Sequence, residues 1–408
     1  MDPRKNPFAP GAGNPPPELA GRSAILEEID VALARVRDGL HDRGQLLLGL
    51  RGVGKTVLLN EIERLATENG YVTAVLEAPA EGKLAALLVP RLRGLLVQLS
   101  MTAKAKAAAR EGLGVLRAFA SAFKVKIGDA EFGVAAANGK ADSGNLETDL
   151  PDLFLAIGAA AKAADKAAAL LIDEVQYLSK AELSALIVAV HRVNQKKLPL
   201  MLFGAGLPQL AGLAGDAKSY AERLFRFPGI GALSPDAARE AIVKPIRAQG
   251  ADITEEAVDL IVRTTDGYAY FVQEWGFHSW LVAKASPITA DDVQTATARA
   301  MSRLDNDFFR VRLDRLTPRE KDYLRAMAEL GPGPHRSGDI ATHLGIEVTG
   351  AGFLRKALTV KGMIFSPQYG LTAFTVPMFD VFLRRSMPGW VPSSVATGND
   401  DDHAREAP

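Results

Sequence analysis

The sequence of 408 residues contains no cysteine and only six histidines. The absence of cysteine excludes disulfide scaffolds, thiol nucleophiles and sites where cysteine holds zinc or an iron–sulfur cluster. The scattered histidines disfavour a metal centre built on imidazole. No apolar run approaches the about 20 residues that span a bilayer, and the N-terminus lacks the apolar core of a secretion signal. We therefore expect a cytoplasmic protein that has no membrane partner.

An excess of one charge sign is also missing, because 48 Lys and Arg balance 48 Asp and Glu. No field of the whole protein draws the chain to a polyanion, so any nucleic-acid site must be a local patch. Apolar residues make up 48% of the chain and charged residues 24%, which is ordinary globular composition. The length predicts two or three domains, each with its own core.

Short apolar runs alternate with helical patterns in the first half of the chain. Helices between successive strands predict an α/β fold, a parallel sheet with helices on both faces. The predicted strands are Gln45–Leu50, Tyr71–Glu77, Ala167–Ile172 and Leu198–Phe203. The predicted order of domains is a Pro/Gly-rich leader (1–18), a core (19–228) with an inserted helix and β-hairpin at about 101–148, a helical lid (229–305), a winged helix (306–387) and a disordered tail (388–408).

The segment from Gly49 to Thr56 fits the phosphate-binding pattern G-x-x-x-x-G-K-[ST], between a predicted strand and a predicted helix. Glycines let the backbone N–H groups of such a loop face one point, and the helix N-terminus adds partial positive charge there. Lys55 is expected to reach the β and γ phosphates and Thr56 to ligate Mg²⁺. The predicted nucleotide-binding residues are Gly49, Leu50, Arg51, Gly52, Val53, Gly54, Lys55, Thr56 and Val57.

Two acids, Asp173 and Glu174, follow a completely apolar strand. A strand of this kind delivers its last residues to the carboxyl edge of a parallel sheet, where ligands bind. We expect Asp173 to hold the Mg²⁺ shell and Glu174 to act as general base toward water, with Lys55 as the third catalytic residue. The plain alternative is a strand end capped by two solvated acids.

These features together resemble an AAA+ ATPase. They are Leu19–Arg22 before the first helix, the P-loop, the Leu-Leu-Ile-Asp-Glu strand and the helices after residue 228. The C-terminal winged helix resembles the origin-recognition and replication-initiator branch, and related bacterial and archaeal signalling ATPases. The resemblance implies ATP and Mg²⁺ as cofactors. It also implies that Asn6–Arg22 line the adenine and that Gly267–Val272 approach it from the lid.

The resemblance further implies an arginine finger for a neighbouring subunit, and Arg223 stands at that place, with Arg226 as the weaker choice. A surface ion pair of Arg223 with Glu222 or another acid is the alternative. Strand 198–203 is followed by Gly204–Gly206, where such proteins carry a polar sensor residue, and Gly267–Tyr270 of the lid supplies no sensor arginine. Both departures predict slow hydrolysis, as in a nucleotide-dependent switch.

The winged helix leaves two classes of partner open. Arg355, Lys356 and Lys361 on its third helix suit phosphate contacts with DNA. The helix start, Thr349–Gly352, offers nothing that reads base edges, so the module can equally contact a protein. The inserted hairpin, predicted around 123–134, presents Lys124 and Lys126 and is equally open between DNA and a partner. The sequence thus predicts an ATP-driven switch that acts on DNA or, alternatively, a signalling ATPase that contacts proteins.

Overall fold

A parallel sheet forms the centre of the N-terminal half of the computed structural model, which describes residues 1–11, 13–78, 83–101, 103–125 and 133–392. Its strands are β1 (Gly44–Leu48), β2 (Tyr71–Glu77), β3 (Ala167–Asp173), β4 (Leu200–Gly206) and β5 (Phe225–Arg226). They stand in the order β2-β3-β4-β1-β5, and each neighbouring pair is parallel. The predicted α/β class is confirmed. The two-residue strand β5 was not predicted, because so short a segment carries no alternation.

Helices cover both faces of this sheet. They are α1 (Ser23–Arg37), α2 (Lys55–Glu68), α3 (Leu84–Leu99), α4 (Ala103–Ala122), α5 (Leu146–Ala163), α6 (Lys180–Gln195), α7 (Leu210–Ala217) and α8 (Ala221–Leu224). Ile29 of α1 and Leu58 of α2 are buried on one face, and Phe119 of α4 and Phe154 of α5 on the other. The predicted hairpin falls largely on residues 126–132, outside the described part of the chain.

Four helices follow the sheet: α9 (Pro235–Ala248), α10 (Glu255–Thr265), α11 (Ala269–Val282) and α12 (Ala290–Arg303). Ser234 caps α9 ahead of Pro235, and Thr289 caps α12 by accepting from the backbone N–H of Asp292. A π-helical segment, Leu304–Arg310, and the short α13 (Val311–Leu313) then lead to the C-terminal domain. We call residues 304–313 the connecting segment. It was not predicted.

The described part of the C-terminal domain contains four helices and a small antiparallel sheet. Its elements are α14 (Pro318–Glu329), β6 (His335–Arg336), α15 (Ser337–Leu344), α16 (Val348–Val360), β7 (Ile364–Phe365), β8 (Leu371–Phe374) and α17 (Phe379–Ser386). The strands stand in the order β6-β8-β7. Its core joins the core on the α1 and α2 face of the sheet, through buried residues of the lid and the connecting segment. The domain limits given above stay predictions, since these cores are continuous.

The leader lies along α11 of the lid. The Asn6 side-chain amide donates to the carbonyl of Phe277 at 3.0 Å, and the Trp280 indole N–H donates to the carbonyl of Asp2 at 2.8 Å. Phe8 is 2% exposed and packs against Gly276, where any Cβ would meet its ring at 2.6 Å. The first eight residues are therefore fixed on the lid by these contacts. Within the residues described, no helix has the length and apolar character needed to cross a membrane.

Candidate functional site: a phosphate-binding loop under a lid

The loop between β1 and α2 has the backbone that its glycines permit. Gly52 and Gly54 have φ values of +82° and +96°, in the left-handed region that side chains disfavour. Gly54 lies directly before Lys55, the first residue of α2, so the loop ends at the positive end of the helix. The strand, loop and helix thus stand as the motif requires for a phosphate cradle.

Seven of the nine predicted nucleotide-binding residues, those from Arg51 to Val57, line one cavity of about 520 Å³. The other two lie behind it. The N–H of Gly49 donates to the carbonyl of Gly206 at 3.0 Å, and the carbonyl of Leu50 accepts from Lys55 Nζ at 2.8 Å. The volume is within the usual range for a small-molecule site.

Thr56 lines this cavity and contacts Asp173. The Thr56 hydroxyl donates to Oδ2 of Asp173 at 2.6 Å, although the two residues are 117 positions apart. β3 brings Asp173 to the edge of the sheet, and the first turn of α2 brings Thr56 there. A hydroxyl and a carboxylate are oxygen donors of the type Mg²⁺ prefers, with water and phosphate oxygens supplying the other positions. In the described part of the chain, no group of three or more His, Asp and Glu side chains could hold a metal by itself.

Lys55 and Glu174 complete this group. Lys55 is buried, and burial lowers the pKa of its ammonium, while the charges of Glu174 and Asp173 act in the opposite direction. Glu174 lines the same cavity and has a left-handed backbone with φ of 53°, which turns the chain sharply out of β3. Lys55 and Glu174, with Asp173 in contact with Thr56, therefore lie together at the place predicted for a phosphate and its metal.

The leader and the lid form the other walls. Arg22, between the leader and α1, donates from Nη2 to the carbonyl of Gly231 at 2.6 Å and to that of Val53 at 3.3 Å, which ties this part of the chain to the loop. From the lid, the N–H of Tyr270 donates to the carbonyl of Gly52 at 3.1 Å. The leader and lid residues that line the cavity are Ala9, Pro10, Gly11, Gly13, Asn14, Pro16, Glu18, Leu19, Ala20, Arg22, Leu233, Ala241, Ala269, Tyr270, Val272 and Gln273. This wall includes parts of both segments expected to surround an adenine.

Sequence reasoning missed Arg312, which lines the same cavity from the connecting segment. Its guanidinium lies 3.9 Å from the ring centre of Phe308. Burial, together with the nearby charge of Arg51, lowers its pKa to about 10. Neither Arg312 nor Arg51 forms an ion pair with a carboxylate of the described residues, although Arg51 donates to the Tyr177 hydroxyl. Two cations thus converge on a space that suits an anion.

No motif marks Arg312, because it is one of three arginines between Arg310 and Arg315, a density common on exposed helices. No arginine stands at the start of α11, the lid helix where the resemblance implies one. A cation nevertheless reaches the cavity from a later element, the connecting segment.

The two arginines considered as arginine fingers differ in their ion pairs. Arg226 pairs with Glu28 at 2.9 Å and lies 3.8 Å from Asp42, so its charge is partnered within the chain. Arg223 is exposed at the end of the short helix α8, and no described carboxylate pairs with it. The alternative of an ion pair with Glu222 is not what the structure contains. Arg223 lies outside the cavity wall of its own chain.

Two family models match the chain. Residues 18–203 match the model described as AAA ATPase domain, and residues 306–383 match a domain of unknown function, DUF8462. The first match spans the loop, Thr56, Asp173 and Glu174. Residues 18–203 are therefore similar to an AAA ATPase domain. We call this part the AAA domain. No curated protein matches the sequence.

Solved structures resemble most of the chain in fold. The Walker-type ATPase PABY2304 of Pyrococcus abyssi has a TM-score of 0.54 and 17% identity, with 90% of this chain and 96% of that one covered. The RuvB Holliday junction branch migration motor of Thermotoga maritima has a TM-score of 0.43 and 17% identity over 91% and 96%. Orc1 of Aeropyrum pernix, solved in complex with DNA, has 0.44 and 15% over 90% and 93%. At these identities the likeness concerns the fold alone.

Proposed function

We propose that this chain binds ATP together with Mg²⁺ and hydrolyses the ATP slowly. The observation that carries the proposal is the contact of Thr56 with Asp173 at 2.6 Å, in a cavity that Lys55 and Glu174 also reach. A loop of backbone N–H groups and a buried lysine suit a polyphosphate, and the hydroxyl–carboxylate pair suits its metal. Bound Mg²⁺ would neutralise charge on the β and γ phosphate oxygens.

In the proposed reaction Glu174 takes a proton from a water molecule. The water oxygen bonds to the terminal phosphorus while the bond from that phosphorus to its bridging oxygen breaks, and the products are ADP and phosphate. Lys55 stabilises the negative charge on the transferring group. General base catalysis of this type contributes roughly 10²–10⁴-fold in rate.

The test compares Lys55→Ala and Glu174→Gln with the wild type. Binding of a fluorescent ATP analogue and release of phosphate are measured on each purified protein. We expect Lys55→Ala to lose binding, and Glu174→Gln to bind ATP while its turnover falls by at least about 100-fold. Equal phosphate release by all three proteins would reject the proposal. Arg64→Ala, on the exposed side of α2, is the control for a change of charge outside the cavity.

We further propose that the terminal phosphate sets the position of the lid and the C-terminal domain. The cavity is built by the AAA domain, the lid and the connecting segment, so a ligand there touches all three. Contacts of Arg312 with a terminal phosphate exist for ATP and disappear with ADP. A ligand shifts a conformational equilibrium through such differential contacts. This dependence supports a switch that cycles with the nucleotide.

For the partner of the C-terminal domain, which we propose to be a winged helix, the side chains favour a protein over DNA. Arg355 donates to the hydroxyls of Ser337 at 3.0 Å and Ser366 at 2.6 Å, inside the domain. Lys361 pairs with Glu320 at 2.7 Å. Of the three cations predicted for phosphate contacts, Lys356 alone is thus exposed without such a contact among the described residues.

The exposed face of α16 is instead apolar. Val348, Phe353 and Val360 are 54%, 77% and 57% exposed, and Tyr369 projects fully between β7 and β8. Apolar and aromatic side chains of this kind suit protein contacts. We expect no binding to duplex DNA that weakens with salt, with or without ATP. Binding that falls by about 10³-fold between 50 and 200 mM salt, and that Lys356→Ala weakens, would favour the DNA-bound alternative.

We propose Arg223 as the residue that completes the site of a neighbouring copy. It is exposed, and its charge is not partnered within the described residues. An arginine supplied from a neighbour neutralises charge on the transferring phosphoryl group. If so, Arg223→Ala and Lys55→Ala should each be inactive alone, and mixing them should restore part of the turnover. The mixture then contains sites with an intact loop facing an intact Arg223. A mixture no more active than its components would exclude this role.

A further inference from the structure

Strand β4 ends in Gly204, Ala205 and Gly206, and a neighbouring side chain supplies the polar group at this place. The side chain is Gln176, in the turn after β3. The N–H of Leu207, the first residue beyond β4, donates to Oε1 of Gln176 at 3.0 Å. A Cβ added at Gly206 would lie 2.7 Å from that oxygen. The glycine at the end of β4 therefore leaves room for the Gln176 amide.

The orientation of this amide follows from its two partners. A backbone N–H can only donate, so the oxygen of Gln176 faces Leu207 and the NH₂ group faces the other way. There it donates to Oε2 of Glu174, and an ionised carboxylate can only accept. Both contacts require the same orientation, which removes the usual ambiguity between the oxygen and nitrogen of a glutamine amide.

The end of β4 is itself fixed to the phosphate-binding loop. The N–H of Gly49 donates to the carbonyl of Gly206 at 3.0 Å, and Gly206 pairs with Leu48 in the sheet. Gln176 connects this strand end to Glu174. A continuous path of hydrogen bonds and backbone thus runs from the first residue of the loop, through β4 and Gln176, to the carboxylate proposed as general base.

We propose that Gln176 is the positioning residue for Glu174. By holding Oε2, it directs the other carboxylate oxygen to the water and keeps the carboxylate in one rotamer between turnovers. This inference rests on the proposed ATPase function. In this role Gln176, from the turn after β3, takes the place of a polar residue at the end of β4. Because Gln176 acts through Glu174, its loss should alter kcat and leave ATP affinity unchanged.

Three variants test this role. Gln176→Met keeps the length of the side chain and removes both hydrogen bonds. Gln176→Glu keeps an oxygen for Leu207 and places a second carboxylate oxygen against Glu174. Gly206→Ala leaves Gln176 in the sequence and displaces its amide. Gln195→Met, at the end of α6, is the matched control outside the site.

We expect kcat to fall about tenfold in Gln176→Met and Gly206→Ala, with the Kd for ATP within about twofold of wild type. The Gln195→Met control should equal wild type. In Gln176→Glu the new carboxylate cannot donate to Glu174, so kcat should fall at least as far, again with the Kd for ATP within about twofold of wild type. Adding Gln176→Met to Glu174→Gln should cause no further loss, because both changes remove the same function.

The outcomes separate this inference from the function on which it rests. If the wild type hydrolyses no more ATP than Glu174→Gln, the ATPase function falls and this role falls with it. If the wild type is active and Glu174→Gln is not, the ATPase function stands, and the Gln176 variants alone test the positioning role. Turnover of Gln176→Met within twofold of wild type, or a loss of ATP affinity as large as the loss of kcat, would overturn the inference while the ATPase function stands.

Discussion

Arg51 of the phosphate-binding loop lies against Gly362, in the turn that follows α16 of the C-terminal domain. A Cβ added at Gly362 would overlap the Arg51 guanidinium, which also donates to the Tyr177 hydroxyl. The phosphate-binding loop and the turn that follows α16 are therefore in direct contact. A movement of Arg51 toward a phosphate would change the surface on which the C-terminal domain rests.

The contact predicts a specific effect of Gly362→Ala. The new Cβ must displace Arg51, so we expect the Kd for ATP to change by at least about threefold. Gly370→Ala is the matched control, because both glycines have positive φ values, +65° and +76°, and nothing lies within 4 Å of the Cβ at Gly370. Each alanine should cost about 1 kcal/mol of stability through its backbone. If both variants change the Kd for ATP equally, the contact between Gly362 and Arg51 does not influence ATP binding.

Arg312 should distinguish ATP from ADP. Arg312→Met keeps an unbranched side chain over Phe308 and removes the charge that faces the cavity. A charge-assisted hydrogen bond contributes about 1.5–3 kcal/mol, so ATP affinity should fall at least tenfold. ADP affinity should change by less than about threefold, since the lost contact is to the terminal phosphate.

The control for this change is Arg310→Met, two residues earlier in the connecting segment and exposed. Titration calorimetry with ATP and ADP on both variants gives the four affinities. The Tm without nucleotide should fall little in Arg312→Met, because the buried charge and its repulsion from Arg51 are removed together. Equal losses for ATP and ADP would show that Arg312 only supports the wall.

The leader should matter for nucleotide binding through Gly276. An alanine there would place its Cβ 2.6 Å from the ring of Phe8. Overpacking of this kind costs about 1–3 kcal/mol. Because the displaced leader also lines the cavity, both the Tm and the affinity for ATP should fall.

Gly94 offers the matched control for this helix glycine. It lies inside α3, and nothing lies within 4 Å of an added Cβ. Gly94→Ala should therefore be neutral or stabilise by up to about 1 kcal/mol through helix propensity. Thermal unfolding and ATP titration of the two alanine variants provide the comparison. A Gly276→Ala protein as stable as Gly94→Ala would mean that the leader is not packed on α11.

The sequence predicts the parts of the site that are local. The loop from Gly49 to Thr56 and the strand ending at Asp173 each carry their chemistry in consecutive residues, so spacing alone identifies them. The parallel sheet then brings Thr56 and Asp173 together, because the carboxyl ends of its strands share one edge. Strand β2, Tyr71–Glu77, has the predicted limits.

The parts that could not be predicted depend on packing between distant elements. Arg312 reaches the cavity because the connecting segment crosses beside the lid, and no pattern in residues 304–313 indicates this path. No motif distinguishes Gln176 in the sequence, and its contact with the end of β4 exists only in the folded structure. Arg355 matches a phosphate-binding cation in sequence, yet two serines of its own domain engage it. Spacing along one element does not specify such partners.

A buried acid in the lid predicts a pH dependence of stability. Glu274 is 1% exposed in α11, and burial raises the pKa of its carboxyl. Its neighbours are the Tyr270 hydroxyl, which donates to Oε1 at 3.0 Å, and His278, whose Nε2 lies 3.6 Å from Oε2. Arg303 stabilises the carboxylate and Asp307 opposes it. Burial lowers the pKa of His278, so this imidazole is neutral at neutral pH.

Because the folded state binds the Glu274 proton more tightly than the unfolded chain does, this protonation stabilises the fold below the unfolded pKa. The contribution is lost as the pH rises through the folded pKa. Glutamine at this position keeps an oxygen for Tyr270 and carries no charge at any pH. Glu274→Gln should therefore have a higher Tm than wild type at pH 8 and about the same Tm at pH 4. Glu256→Gln, exposed on α10, controls for the loss of one surface charge, and a gain in Tm that is the same at both pH values would contradict a titrating Glu274.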